Sequence, residues 1–547
     1  APLHSSPVLV SYNKTGGDAV STLFVSTNEG YLHAIDSGQP TRFDPTQDKA
    51  NRGGKELFAF IPKETLIMAA ALEENAVVDR KAPGFKHAYG LDASWTYWRE
   101  DGGDGSIGSS DHVYLYGGMR RGGNMIYGLN ITDTYFGGGN EPKLLFAIGN
   151  SVIDGPTPVS GTPGGDVTNF NNIGQTWSEP KLRTINWKGS IRNVLFFGGG
   201  HDEKHDDPAY EGANELGSQV YMVDATTGEL LWAKKTKSSI AAGVRPFDRT
   251  ADNLIDGLYA VDLQGRVLRF DINSALNDFI MYEIADLGGS GASNRKFYAE
   301  PGVAYFKNLK TGKSDAMIAV SSGYREKPLN KTVKEQFFLI FDRGAFTLDP
   351  ATGKVPAPST VIKTADLKIV SAAASVSGLS EDPLNANGVH QIAGWTLEFD
   401  QAVGEKGTGA PLILGGIIIF TTFTVEESGS ETCTPVIGQT RVYVLDYKGQ
   451  RKAYLFDEEK DATGRYLKDI ASGMASGVQL LTTVDPVTGK DNFVMIVDKK
   501  VINIEGADDN PGLYEAYRCE LVDCEGRDLD RATWTTKSMG ADEGRLK

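Results

Sequence analysis

One local plan recurs along this chain and restricts its fold more than any other feature. A short β-branched or aromatic run leads to Asp or Asn, a Gly-containing turn and a second such run. It occurs as "STLFVSTNEGYLHAID" at 21–36, "VYLYGGMRRGGNMIYGLNI" at 113–131, "SQVYMVDATTGELLWAKK" at 218–235 and "GLYAVDLQGRVLRFDI" at 257–272, and again at 336–348, 440–456 and 492–506. Each reads as a β-hairpin.

A longer repetition is laid over the hairpins. "WSEP" at 177–180 leads through a strand to "VLFFGGGHDEK" at 194–204, and "YAEP" at 298–301 leads at nearly the same distance to "MIAVSSGYREK" at 317–327. Repeated small sheets that bury their faces only against their neighbours are the blades of a propeller. Grouping the hairpins gives about seven blades, centred near residues 25, 120, 210, 262, 325, 430 and 490. Their spacing exceeds the usual ~40–50 residues, so insertions are expected at 36–55, 99–111, 133–176, 342–365 and 376–411. The expected fold is therefore all-β, a modified seven-bladed β-propeller with long inter-strand insertions. No Pro- or Ser-rich linker divides the 547 residues, and a single domain over 1–547 is expected rather than two stacked sandwiches.

Composition narrows the function classes. At 547 residues the chain is about twice the length at which one core stops growing, which suits an architecture that adds sectors. Acids outnumber bases 71 to 55, for a formal charge of −16, which disfavours nucleic-acid partners. The longest apolar run, "LILGGIIIF" at 412–420, is strand-sized, so no transmembrane segment is read. Ala1 opens onto polar residues, so any export signal is expected to have been removed. Cys433, Cys519 and Cys524 leave the compartment open, the last two being spaced either for a small local disulfide or for two free thiols.

The stretch "DRTADNLID" at 248–256 carries the clearest chemistry. Asp248, Thr250, Asp252 and Asp256 offer side-chain oxygens and Leu254 its backbone carbonyl, and calcium takes six to eight oxygens at about 2.3–2.6 Å. The EF-hand template fails at Thr250, Asn253 and Tyr259, and "GLYAVD" after the loop is a strand rather than a helix. A polar hairpin connection accounts for the same residues, and both readings stay open at this point.

Five stretches met in order, "STLFVSTNEGYLHAID", "GGKELFAFIPKETL" (53–66), "GGMRRGGNMIYGLNITD" (117–133), "WSEPKL" with "FFGGGHD", and "DRTADNLIDGLYAVDLQGRVLRFD" (248–271), resemble the C-terminal domain of the PilC/PilY family of type IV pilus biogenesis factors and adhesins. Beyond residue 300 the likeness rests on strand pattern. The resemblance implies a modified seven-bladed propeller standing at the C-terminal end of a longer exported protein whose N-terminal region is absent here. It implies a calcium loop at 248–256 with Asp248, Thr250, Asp252, Leu254 and Asp256 as ligands, where Thr250 departs from the usual Asn or Asp and weakens binding. It further implies a non-enzymatic role in pilus extension, retraction and surface attachment, with minor pilins, pilus-tip proteins and a host-cell receptor as partners, and a location at the cell surface and pilus tip reached through the periplasm and outer membrane.

Other motifs are weaker. "DATTGELLW" at 224–232 fits the blade-docking pattern of quinoprotein dehydrogenases in one copy, so Trp232 reads as hairpin packing and a calcium-dependent quinoprotein oxidoreductase is the alternative, with a generic protein- or carbohydrate-binding propeller behind it. "HDEKHDD" at 201–207 reads as a polar loop rather than a metal site, "EDGGDGSIGSSD" at 100–111 as a connection, and "GGMRRGG" as a tight turn. No nucleophile elbow, phosphate loop or zinc-protease helix occurs, and no local signature asks for an enzyme.

Overall fold

The computed structural model describes residues 4–13, 19–37, 53–67, 89–108, 110–134, 141–212, 215–273, 277–308, 314–349, 354–370, 392–399, 404–414, 416–425, 438–449, 458, 460, 466–475, 477–484, 491–497, 500–503 and 532–535. Seven sheets of three to six strands follow one another along the chain. The first blade is Val8–Asn13, Ala19–Ser26, Leu32–Asp36 and Glu56–Phe60. The second is Trp95–Glu100, His112–Gly118, Met125–Asn130 and Lys143–Ser151, and the third Lys181–Trp187, Ser190–Gly198, Gln219–Asp224 and Leu230–Lys235. Arg245–Phe247, Gly257–Val261, Arg266–Asn273 and Asp278–Asp286 make the fourth, and Gly302–Asn308, Ser314–Ser321, Gln336–Asp342 and Gly394–Glu398 the fifth. The sixth is built on Ile417–Thr424, Gln439–Asp446 and Tyr466–Ser472, the seventh on Val478–Val484, Asp491–Val497 and Lys500–Asn503. All seven expected centres fall inside these spans, and the seven-bladed β-propeller is the observed fold.

The period-two pattern of each strand feeds two cores. In Ser190–Gly198, Val194 and Phe196 pack with Leu258, Leu268 and Phe270 of the fourth blade. Leu195 and Phe197 point the other way, to Tyr116, Phe146 and Ile148 of the second. The remaining cores among the described residues likewise join successive blades, first to second, fourth to fifth, fifth to sixth and sixth to seventh. Each large apolar side chain buried in this way stabilises the ring by about 1.5–3 kcal/mol.

Three expectations change. Residues 336–348 are not a hairpin: the Asp315 carboxylate accepts the Gly344 N–H at 2.6 Å, Phe346 enters the core between the fourth and fifth blades, and Gln336–Asp342 pairs instead with Gly394–Glu398. The expected insertion at 133–176 contains the nine-residue strand Lys143–Ser151, and that at 376–411 contains Gly394–Glu398. Trp232 does more than pack its hairpin. Its indole Nε1–H donates to Asp278 Oδ1 of the next blade at 2.7 Å, and its ring lies 4.7 Å from that of Phe279, so it docks one blade on another. Cys433, Cys519 and Cys524 lie outside the described residues. No helix among the described residues is long and apolar enough to cross a membrane.

Trp232→Phe keeps most of the buried ring and removes the bond to Asp278, which is half-buried. Urea unfolding should show a loss of about 1–3 kcal/mol with unchanged circular dichroism. Wild-type stability in this variant would mean that the cross-blade bond contributes nothing.

Candidate functional site

The 248–256 loop joins Arg245–Phe247 to Gly257–Val261, the first two strands of the fourth blade. Asp256 N–H donates to Phe247 O at 3.0 Å and closes its base. Ala251 and Asn253 have φ of 61° and 66°, left-handed values that are uncommon without glycine and that curl the chain tightly. This curl turns Asp248 and Asp256 toward the middle. Asp248 is buried and accepts the N–H groups of Ala251 at 2.6 Å and Asn253 at 2.7 Å. Asp256 accepts those of Arg249 at 2.7 Å and Thr250 at 3.2 Å. The Thr250 hydroxyl bridges the two carboxylates, 3.5 Å from Asp248 and 3.3 Å from Asp256.

Asp248, Thr250 and Asp256 are thus brought together, whereas Asp252 sits at the exposed tip and accepts the Leu254 N–H at 2.9 Å. The carboxylates of Asp248, Asp252 and Asp256 do not all converge within 4.8 Å, as those of another group described below do. Burial raises the Asp256 carboxyl above its ordinary value, with the charge of Asp248 adding to the effect and the Arg249 and Thr250 amides opposing it. Two facing carboxylates and a hydroxyl, with Asp252 and the Leu254 carbonyl in the same nine residues, fit a hard oxygen-seeking cation such as calcium. Arg249 does not spend its guanidinium on the loop. It pairs with Asp271, donates from Nε to Ala345 O at 2.9 Å and lies over Phe247 and Phe346. Asp271 in turn holds Arg269, which is fully buried and grips Asp342 of the fifth blade at 2.7 and 2.8 Å. The loop is therefore tied by a chain of charges to the junction of two blades.

A second polar centre forms where connections from several blades meet. The 120–122 turn brings Arg120 and Arg121, the 199–207 loop brings His201, His205 and Asp206, and the 322–326 loop brings Arg325 and Glu326. "HDEKHDD" is more than a solvated loop, since His201 and His205 are buried. His201 Nε2 lies 3.1 Å from Asp206 Oδ1, and Arg121 donates to both Asp206 oxygens at 3.3 Å. Burial would raise Asp206, but His201 and Arg121 outweigh it and hold the carboxyl at about 2. Arg120 stacks over Trp177 at 4.3 Å, and burial together with Arg325 pushes its guanidinium down to about 9. Among the described residues, His201, Asp206 and Glu326 form a group whose ligating atoms all lie within 4.8 Å of one another, an arrangement able to hold a metal ion.

Sequence reasoning missed this centre because its members come from three separate turns. The internal repeat was the available signal: aligning "GGHDEK" with "SGYREK" sets the His201 loop and the Glu326 loop at equivalent places in the third and fifth blades.

Residues 1–344 match the family described as the PilY1 beta-propeller domain. The type IV pilus biogenesis factor PilY1 of Pseudomonas aeruginosa is 23% identical over 453 residues, covering 74% of this chain and 33% of that protein. The PilY1 homolog of Xylella fastidiosa is 24% identical over 458 residues, covering 78% of this chain and 26% of that protein. The chain thus spans between a quarter and a third of the length of these curated relatives. Among solved structures, the C-terminal domain of Pseudomonas aeruginosa PilY1 superposes with a TM-score of 0.55 at 17% identity, covering 89% of this chain and 92% of that one.

Behind His201, the buried Glu215 accepts from His205 Nε2 at 2.8 Å, Ser238 Oγ at 2.8 Å and Ser239 N at 2.9 Å. Burial would raise this carboxyl, but the His205 bond and the two serines bring it from 4.5 down to about 2. A depressed carboxylate contributes stability above its unfolded value and loses it as pH falls toward the folded one. Glu215→Gln should therefore lower the urea midpoint at pH 7, and its gap to wild type should shrink as pH falls from 4.5 toward 2. A gap that does not change with pH would contradict the assignment.

Proposed function

The chain belongs to the PilY1 beta-propeller family, and from that membership we propose that it serves type IV pilus biogenesis and surface attachment as a non-enzymatic, calcium-responsive binding module. The observation that carries the calcium reading is the 248–256 loop: set between two strands of one blade, it already turns Asp248, Thr250 and Asp256 on one another. Asp248, Thr250, Asp252, the Leu254 carbonyl and Asp256 would hold the ion, which supplies a counter-charge to the carboxylates and fixes one loop conformation. Arg249 anchors the loop to Asp271, and through it to Arg269 of the same blade and Asp342 of the fifth.

A partner that prefers the ordered loop binds better with calcium, and calcium binds better with that partner. The partners we propose are minor pilins and other pilus-tip proteins, with a host-cell receptor for adhesion, and the outcome is a bias in the balance of extension and retraction. The proposed setting is the pilus tip at the cell surface, reached by export. We further propose that residues 1–547 act as one propeller domain within a longer protein.

Calorimetric titration of calcium into wild type should give binding heat, and Asp252→Ala should weaken the affinity at least tenfold. Thr250→Asn should strengthen it by replacing a hydroxyl with a carbonyl oxygen. No heat in wild type, or equal heats in wild type and Asp252→Ala, would reduce the loop to a polar turn.

A further inference from the structure

We propose that the cluster where loops of the third and fifth blades meet holds a second metal site, for a borderline divalent transition ion such as Zn2+, with His201, Asp206 and Glu326 as its protein ligands. The three come from two loops that the internal repeat makes equivalent: His201 and Asp206 follow Ser190–Gly198 in the third blade, and Glu326 follows Ser314–Ser321 in the fifth. An ion here would clamp loops of two blades that have a third blade between them in the chain.

The geometry is close to what such an ion requires. Bonds of about 2.0–2.2 Å in a tetrahedral shell place ligand atoms roughly 3.3 Å apart. His201 Nε2 and Asp206 Oδ1 already stand 3.1 Å apart, and the Glu326 oxygen is within 4.8 Å of both. To complete the shell the Glu326 side chain must rotate its carboxylate closer to the other two.

The atoms left over point the same way. Both carboxylate oxygens of Glu326 are buried without a hydrogen-bond partner, as is Nδ1 of His201, a residue only 1% exposed. The phenol of Tyr298, its hydroxyl buried, lies beside Glu326 and is the protein group that interacts with it most directly. A buried carboxylate with no partner is costly, and a coordinated ion removes that cost. If the ion takes Nε2, it replaces the bond to Asp206 and the ring proton moves to Nδ1, which has no acceptor among the described residues, so the metal bonds must outweigh one unsatisfied N–H.

The ligands are also held in place. Trp177 packs against His201 in a tilted pair at 4.6 Å and Tyr298 lies at 6.0 Å, while Arg121 grips Asp206, as the partners of ligating carboxylates do. One imidazole with two carboxylates favours a borderline ion over calcium, which takes oxygen alone. Arg120, Arg121, Arg325 and Lys296 oppose a cation, and Asp92, Asp206, Glu326 and Glu215 offset them. Affinity thus rests on the three bonds and not on a negative field, which separates this site from the 248–256 loop.

The test is equilibrium dialysis of the full chain, stripped with chelator, against Zn2+ alone in calcium-free buffer, with metal content measured per chain. One Zn2+ per chain is expected, with affinity reduced at least tenfold in Glu326→Gln and in His201→Ala and unchanged in Asp252→Ala. Glu326→Gln replaces the carboxylate by an isostere of the same volume, so it tests the site even if His201→Ala fails to fold. No Zn2+ in wild type, undiminished binding in Glu326→Gln, or loss of binding in Asp252→Ala would each overturn the proposal.

Discussion

No sheet in this molecule can bury both of its faces alone, and everything else follows from that constraint. A strand such as Ser190–Gly198 sends Val194 and Phe196 to one neighbour and Leu195 and Phe197 to the other, so a blade is finished only when the blades beside it are present. Polar contacts strengthen the same junctions. Trp232 reaches Asp278 across the third and fourth blades, and Arg269 reaches Asp342 across the fourth and fifth. The connections gathered at the strand ends are thereby held by a rigid frame, the arrangement in which loops most often carry function.

Much of this was legible in the amino-acid sequence, because the hairpin plan is local. Alternation of apolar residues around an Asp- or Asn-led turn locates two strands of a blade, and this was enough to centre all seven. Strands that pair at a distance were not visible in the same way. Lys143–Ser151 is screened by the glycines at 137–139 and by the Gly- and Pro-rich stretch after it, and Gly394–Glu398 finds its partner, Gln336–Ile340, nearly sixty residues upstream. The apparent hairpin at 336–348 failed for the converse reason: a tertiary contact, Asp315 on the Gly344 amide, outbid the local turn. The 248–256 loop could be found because its oxygens lie within nine residues. The centre around His201 could not, since proximity of Arg120, His201 and Glu326 is a property of the ring and not of any segment.

Two kinds of charged site thus coexist on one scaffold. The loop in the fourth blade offers oxygen alone, shaped by the left-handed residues Ala251 and Asn253, and its link to the frame runs through Arg249. The centre mixes imidazole, carboxylate and guanidinium, nearly balanced in charge and walled by Trp177 and Tyr298. A ligand at the first would order one blade connection, whereas a ligand at the second would tie loops from different blades.

On the proposed function, calcium orders the 248–256 loop while the seven sheets that carry it keep their structure. Amide hydrogen exchange with and without calcium measures this directly. Slower exchange at 249–256, with the strands of the seven sheets unchanged, is the predicted result. Unchanged exchange in that loop, or protection spread evenly over the sheets, would contradict it.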